Sequence, residues 1–171
     1  SKMKNAVPSD PQTKQGAVVS KDHMEKVLAY IELSKEEGGK ILTGGERVIL
    51  PEPHHQGFFI QPTVIEGLKH DCRTNQEEIF GPVLSIIAYD DINHAVEITN
   101  DSIYGLSSYI TCLDENEGLE IAKEIRAGQT IINKKSRGSA PAPFGGFKMS
   151  GNGREHGLFG LEEYLEIKAI I

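Results

Sequence analysis

The strongest constraint on the fold is a regular alternation of strand-like and helix-like segments. Apolar, β-rich stretches lie at residues 83–89, 107–113 and 129–133, and segments with helical spacing begin at Asp91 and Asp114 between them. Strands that alternate with helices of this kind are typical of an α/β domain. We therefore predict a largely parallel sheet flanked by helices, with site residues near the carboxyl ends of its strands.

Another helix is predicted upstream of these segments. Ser20 is a suitable N-cap, because its hydroxyl can accept a hydrogen bond from a free amide of the first turn. Four apolar residues then recur at helical spacing, namely Met24, Val27, Leu28 and Ile31. Residues 40–43 and 58–65 are predicted as strands, and residues 165–171 as the last strand of the chain.

Charge and composition narrow the function class. The formal charge of −7 argues against nucleic acid as a partner, because that function needs clustered Lys and Arg. No apolar run approaches the roughly 20 residues of a membrane span. Cys72 and Cys112 are far apart and no HxxxH or HExxH pattern occurs, which disfavours a disulfide scaffold and a metal site. We expect a cytoplasmic protein, with no metal and no membrane partner.

Two short segments have the composition of a binding site. The glycine-rich loop, residues 143–157 (PFGGFKMSGNGREHG), can bring its backbone close to other groups because glycine tolerates positive φ. The acidic turn, residues 77–82 (EEIFGP), pairs two carboxylates with an aromatic residue. A carboxylate can accept hydrogen bonds from both hydroxyls of a ribose, and the ring beside it can pack on a nicotinamide. The alternative is a solvated turn with Phe80 in the core.

Taken together, the acidic turn and the glycine-rich loop resemble the C-terminal signature of the NAD(P)-dependent aldehyde dehydrogenase superfamily. Three further segments resemble the family in order and spacing: GFFIQPTV at 57–64, ITNDSIYGLS at 98–107 and AGQTIIN at 127–133. The resemblance extends from about Pro8 to the end of the chain. It implies the fold of the C-terminal part of the catalytic domain, an aldehyde substrate, and NAD or NADP as the cofactor.

The resemblance also implies roles for single residues. Glu78 is expected to bind the nicotinamide ribose, and Phe80 to pack on the nicotinamide ring. Phe144 matches an aromatic residue that faces the aldehyde, with plain core packing as the alternative. Glu155 matches a glutamate that passes protons near the nucleophile in some members, with a structural ion pair as the alternative.

The C-terminal tail is expected to belong to a subunit interface. Arg154 and Glu166 match positions that join loop and tail there in some relatives, so we hypothesise that they interact directly or through a neighbour. Residues 1–164 would then be a partial catalytic domain and residues 165–171 a strand of the oligomerisation region. The family forms homo-oligomers, commonly dimers or tetramers, and we expect the same of the complete protein.

Positive charge is concentrated in the segment that matches the family's substrate entrance, residues 134–142. Lys135, Arg137 and Gly138 are therefore predicted to lie at the substrate pocket. In an acidic protein such a patch can attract an aldehyde that carries a carboxylate. The alternative is a charge run that is merely solvated.

The chain lacks the chemical centre that the resemblance implies. In the family a cysteine thiolate attacks the aldehyde to give a thiohemiacetal, assisted by a glutamate base and an oxyanion-stabilising asparagine. These positions are N-terminal to the matched region, and neither Cys72 nor Cys112 matches the nucleophile. The dinucleotide-binding domain is absent as well. We therefore expect the C-terminal fragment of an aldehyde dehydrogenase that is inactive alone.

Two other functions remain open at this stage. One is a stand-alone, non-catalytic module of the same fold that acts by binding or assembly. The other is a related reductase of acyl phosphates or acyl-CoA, although the pair of signature segments favours the aldehyde-oxidising branch.

Overall fold

The computed structural model describes residue 3 and residues 5–134 and 140–171. The chain divides into two compact units, Ser1–Ala88 and Tyr89–Ile171, hereafter unit 1 and unit 2. Each unit contains parallel strands joined through a helix, and the predicted α/β class is confirmed.

Unit 1 is built around one long helix and a three-stranded sheet. Its elements in chain order are α1 (Lys21–Glu36), β1 (Lys40–Thr43), β2 (Arg47–Val48), β3 (Phe59–Ile60), β4 (Thr63–Glu66), α2 (Arg73–Gln76) and β5 (Val83–Ile86). The sheet order is β1-β4-β5, with β4 antiparallel to β1 and parallel to β5. Strands β2 and β3 form a separate antiparallel pair, so unit 1 is mixed rather than largely parallel.

The core of unit 1 lies under α1. Met24, Val27 and Ile31 recur on one face of the helix and are buried together with Ile60 from β3. Ser20 caps the helix as predicted, because its Oγ accepts a hydrogen bond of 3.1 Å from the His23 amide. Burial of these apolar side chains is the main stabilising contribution in this unit.

Unit 2 consists of short elements over a two-stranded parallel sheet. Its elements are α3 (Ile92–Asn100), β6 (Ser107–Ile110), α4 (Glu115–Glu124), β7 (Gln129–Ile132), a 3-10 turn (Lys148–Ser150) and α5 (Gly157–Glu162). Strand β6 pairs with β7 in register from Ser107 opposite Gln129 to Ile110 opposite Ile132. The predicted caps are confirmed, since Asp91 accepts from the His94 amide and Asp114 from the Asn116 amide.

Unit 2 has no large buried side chain among the described residues. Its buried positions are Gly118, Gly146 and Gly160, whereas every buried apolar side chain belongs to unit 1. Large apolar residues of unit 2 such as Tyr109 and Leu113 are exposed. Unit 2 by itself therefore leaves its large apolar side chains uncovered.

Residues 165–171 form no strand in the chain by itself, and their assignment to an oligomerisation strand stays a prediction. These residues are exposed and pair with no strand in the described structure. A β-strand gains its hydrogen bonds from a neighbour, and alternation of apolar residues cannot provide one.

Within the described residues, none of the helices has the length and apolar character needed to cross a membrane.

Candidate active site

The backbone of the acidic turn is held by side chains from α1. The His23 Nε2 atom lies 2.6 Å from the Phe80 carbonyl oxygen and donates to it. One turn further along, the Lys26 ammonium donates to the Glu78 carbonyl over 2.9 Å. Because both donors come from a well-packed helix, the turn is fixed to the core of unit 1.

Glu77 is the structural carboxylate of the pair. Arg73 forms a bidentate ion pair with Glu77, in which Nε donates to Oε1 over 2.7 Å and Nη2 donates to Oε2 over 3.0 Å. The Tyr30 hydroxyl donates to Oε2 over 2.5 Å. The hydrogen bond from Arg73, followed by that from Tyr30, lowers the pKa of Glu77 to about 2. Glu77 is thus occupied within the fold and has little capacity left for a ligand.

Arg73 is itself positioned by α1. The Glu37 carboxylate, just after the end of α1, accepts hydrogen bonds from the Arg73 amide at 3.0 Å and the Thr74 amide at 3.1 Å. These amides belong to the first turn of α2, where free N–H groups favour an anion. Glu37 performs the capping role that the side chain of Cys72, at the N-cap position, does not.

The Glu77 network gives the fold a defined dependence on pH. A carboxyl whose folded pKa is depressed stabilises the folded state above its unfolded pKa, and this contribution is lost as the pH falls. We predict that Arg73→Met lowers the free energy of unfolding above pH 4.5, and that its difference from wild type shrinks as the pH falls from 4.5 toward about 2. Urea unfolding across this range measures the effect.

The control for this prediction is Lys123→Met. It removes the exposed ion pair of 2.6 Å between Lys123 and Glu120, and such pairs contribute little. A difference between Arg73→Met and wild type that does not change with pH would contradict the assignment, because it would show that Arg73 acts by packing alone.

Glu78 and Phe80 face solvent beside this anchored scaffold. Within the described residues the Glu78 carboxylate makes no hydrogen bond or ion pair, and its side chain is exposed. Phe80 is 72% exposed, its φ is 55°, and its ring meets His23 edge to face with a centroid distance of 6.1 Å. Both residues line a cavity of about 330 Å³. A free carboxylate and a free aromatic face on a rigid turn fit the ribose and nicotinamide of a dinucleotide.

The glycine-rich loop is closed at its base by a two-residue bridge in unit 2. The Phe144 amide donates to the Glu155 carbonyl over 2.7 Å, and the Glu155 amide donates to the Phe144 carbonyl over 2.6 Å. Gly128, just before β7, packs so tightly on this loop that an added Cβ would overlap the Gly145 carbonyl. Only glycine fits at position 128, which explains this feature of the AGQTIIN segment.

Three of the predicted site residues come together at this bridge. Phe144, Arg154 and Glu155 line a cavity of about 370 Å³ in unit 2. Phe144 is half-buried, while the Glu155 side chain is exposed and forms no ion pair within the described residues. The ion-pair alternative for Glu155 is therefore not realised in the described chain, and its proton-relay role stays a prediction.

Arg154 is committed to the loop itself. Its Nη1 donates to the carbonyls of Gly146 at 3.0 Å and Gly153 at 2.8 Å, and its guanidinium stacks over Phe147 at 5.3 Å from the ring centre. No ion pair joins Arg154 to Glu166 in the described structure, where Glu166 is exposed. Arg154 instead contacts an acid at the end of α5, since its backbone amide donates to Glu163 Oε1 over 3.3 Å.

The cysteines lack the surroundings of a nucleophile. Burial, and then the adjacent Glu37 carboxylate, raises the pKa of the Cys72 thiol, whereas a reactive cysteine needs a lowered one. Cys112 lies against α4, where an added Cβ on Gly118 would come within 2.6 Å of its Sγ. Asn133, at the end of β7, accepts a hydrogen bond of 3.0 Å from the Cys112 amide and so has a structural role.

The remaining predicted residues cannot be placed. Lys135, Arg137 and Gly138 lie outside the described residues, so their assignment to the substrate pocket stays a prediction.

Among the described residues no cluster of three His, Cys, Asp or Glu side chains could hold a metal ion.

Sequence reasoning overlooked the residues that support the site. His23, Lys26 and Tyr30 are spaced three and four apart on the polar side of α1, and this spacing was the available signal that they share one face. Nothing in the spacing said which segment that face would meet. Glu163 could not be found from the sequence, because nothing distinguishes it from the neighbouring acids Glu162 and Glu166 before the Arg154 amide meets it.

Comparison with known proteins identifies the family of the chain. Residues 1–170 match the aldehyde dehydrogenase family. The chain is 39% identical over 160 residues to 4-trimethylaminobutyraldehyde dehydrogenase A of Danio rerio, covering 93% of this chain and 32% of that protein. It therefore spans about a third of the length of that relative.

Solved structures give the same result. Betaine aldehyde dehydrogenase from Staphylococcus aureus, in complex with NAD+, superposes with a TM-score of 0.88 and 37% identity over 95% of this chain and 32% of its own. An indole-3-acetaldehyde dehydrogenase of P. syringae, in complex with NAD+ and IAA, superposes with a TM-score of 0.91 and 36% identity. That match covers 98% of this chain and 33% of the other. With a family match over nearly all its residues, this chain belongs to the aldehyde dehydrogenase family.

Proposed function

We propose that this chain is the C-terminal part of the catalytic domain of an NAD(P)-dependent aldehyde dehydrogenase, which oxidises an aldehyde to a carboxylic acid. Its attacking cysteine, general base and dinucleotide-binding domain lie upstream in the complete protein. Support comes from the family match and from relatives about three times longer than the chain. The chain itself would supply binding surfaces rather than the nucleophile.

One observation carries this proposal: the two carboxylates of the acidic turn differ in their contacts and exposure. Glu77 is held by Arg73 and Tyr30, whereas Glu78 is exposed and without a partner in the described chain. The exposed Glu78 carboxylate and the exposed Phe80 ring lie two residues apart on a turn that α1 anchors. A ligand with neighbouring hydroxyls and a flat ring uses both.

Glu78 would orient the nicotinamide ribose by accepting hydrogen bonds from its hydroxyls. Phe80 would lie against the nicotinamide and keep water from that side of it. When bound, the cofactor supplies the acceptor for the hydride that leaves the substrate. His23 and Lys26 fix the backbone at Phe80 and Glu78, so the two ligand-facing side chains are held in place before the cofactor binds.

Phe144 and Glu155 would form the substrate side. The bridge between their backbones holds both residues at the base of one loop. Phe144 would pack against the aldehyde, and the exposed Glu155 carboxylate would pass protons between the site and water. Lys135 and Arg137 would attract an anionic aldehyde to the entrance.

We also propose a cytoplasmic homo-oligomer for the complete protein. The unpaired tail, residues 165–171, places Ile167 and Ile171 in solvent, and an exposed segment with alternating apolar residues can form a strand by pairing with another subunit. Light scattering of the complete protein tests this, and a monomer at micromolar concentration would contradict it.

The central test of the proposed function is Glu78→Gln in the complete protein. A hydrogen bond to a charged group contributes about 1.5–3 kcal/mol, so the KM for the cofactor is expected to rise by about tenfold or more. The KM for the aldehyde should change far less. Steady-state kinetics with NAD and with NADP measure both constants.

Glu25→Gln serves as the matched control. Glu25 is an exposed glutamate on α1 whose only described partner is Lys21 at 3.4 Å, and its loss is expected to leave both constants unchanged. An unchanged cofactor KM in Glu78→Gln would remove the proposed role of the acidic turn.

A further inference from the structure

Lys148 connects the glycine-rich loop to the end of α3 in unit 2. Its ammonium donates to the carbonyls of Asn100 and Ser102, each over 2.8 Å. The carbonyls at a helix C-terminus lack partners inside the helix and form the negative end of its dipole, so a cation is favoured there. Lys148 is half-buried and has a φ of 54°, a backbone region that non-glycine residues seldom occupy.

Asn100, one of the two acceptors, also joins α3 to the end of α4. Its Nδ2 donates to the Glu124 carbonyl over 2.8 Å, and its Oδ1 accepts from the Arg126 amide over 2.7 Å. The Lys148 ammonium thus reaches a point at which the two helices of unit 2 are already tied together. The glycine-rich loop is thereby joined, through Lys148, to the ends of both α3 and α4.

The backbone around Lys148 is attached to the same region. The Phe147 amide donates to the Gly105 carbonyl over 2.8 Å, and the Met149 amide donates to the Ile103 carbonyl over 2.9 Å. The Gly105 amide in turn donates to Ser150 Oγ over 3.0 Å. These bonds all lie within a few residues of Phe144, on the same loop.

We propose that Lys148 is a positioning residue for the aldehyde. Its ammonium holds the glycine-rich loop against the ends of α3 and α4, and the loop carries that placement to the Phe144 ring. This inference rests on the proposed function of Phe144. Direct binding of a carboxylated aldehyde by Lys148 is disfavoured, because two of its donors are already used by carbonyls inside the fold.

The test compares three lysine variants in the complete protein. Lys148→Met keeps the length of the side chain and removes its charge and donors, while Lys148→Arg retains both. Lys123→Met removes a lysine of α4 whose partner in the described structure is the exposed Glu120. Two quantities are measured: amide exchange at Phe144 and Glu155, and the KM for aldehyde against the KM for cofactor.

Lys148→Met is expected to speed amide exchange at Phe144 and Glu155 about tenfold and to raise the aldehyde KM by a similar factor, since a charge-assisted contact is lost. The cofactor KM should stay within about twofold, because the proposed cofactor side chains belong to unit 1. Lys148→Arg should recover much of both effects, and Lys123→Met should show neither.

Two results would overturn the inference. One is exchange at Phe144 and Glu155 that matches wild type in Lys148→Met. The other is a KM for cofactor that rises as much as the KM for aldehyde, which would mark a general loss of structure. The variant Phe144→Ala separates this failure from failure of the proposed function: if its aldehyde KM is unchanged, Phe144 does not face the substrate, whatever Lys148 does.

Discussion

The isolated 171-residue chain is expected to form no NADH from any aldehyde above the uncatalysed rate. Burial, and then the adjacent Glu37 carboxylate, raises the pKa of the Cys72 thiol, whereas a nucleophilic cysteine needs a lowered one. The Cys112 Sγ accepts a contact of 3.8 Å from the Asn133 amide group, which is not a base. Removing the attacking group from an enzyme that forms a covalent intermediate lowers kcat by roughly 10⁴-fold or more. Absorbance of NADH, followed with a panel of aldehydes at high chain concentration, measures the rate.

The positive control is the complete protein in the same assay. Its activity should disappear when the upstream cysteine is replaced, and it should survive replacement of Cys72 or Cys112 by serine. Aldehyde oxidation by the isolated chain, abolished by Cys72→Ser or Cys112→Ser, would place the nucleophile here and end the proposal of an upstream catalytic centre.

The second large effect is a difference in local stability between the two units of the isolated chain. Unit 1 buries Val27, Ile31, Ile60 and Ile65 completely, whereas unit 2 buries no large side chain among its described residues. Protection of an amide follows the free energy of the opening that exposes it. Amides of α1 and β4 are therefore expected to exchange at least about 100-fold more slowly than those of β6 and β7.

Two isoleucine variants make this comparison sharper. Ile31→Ala removes a fully buried side chain and should lower the free energy of unfolding of unit 1 by about 2–5 kcal/mol. Ile103→Ala, at a site that is 55% exposed in unit 2, should change stability by less than about 1 kcal/mol. Equal protection of both units would favour the stand-alone module, because it would show that unit 2 needs no further polypeptide to cover its apolar surface.

Local features of the fold could be predicted from the sequence. Ser20, Asp91 and Asp114 are all found as N-caps, because a cap needs only its own side chain and an amide two or three residues later. The class of the fold followed from the alternation of such helices with apolar strands. The short helix α5 was missed since Gly157 and Gly160 lower helix propensity and hide the pattern.

Features that depend on distant partners could not be predicted. Residues 165–171 have the alternation of a strand, yet the described chain offers them no neighbour. The difference in contacts between Glu77 and Glu78 could not be predicted either, because it depends on Tyr30 and Arg73 meeting Glu77 in three dimensions. Family resemblance pointed to Glu78, and the structure leaves that side chain exposed and without a partner in the described chain.

Strand β7, which pairs with β6, and the Phe144–Glu155 bridge lie at the two ends of the segment that connects them, and the close packing of Gly128 on the Gly145 carbonyl joins those ends. Lengthening a connection between fixed ends adds only about 0.6 kcal/mol for each doubling. Natural variation or directed evolution can therefore exchange this stretch for others of different length and charge while the framework stays intact. Relatives could then differ in the substrates they prefer with little loss of folding stability.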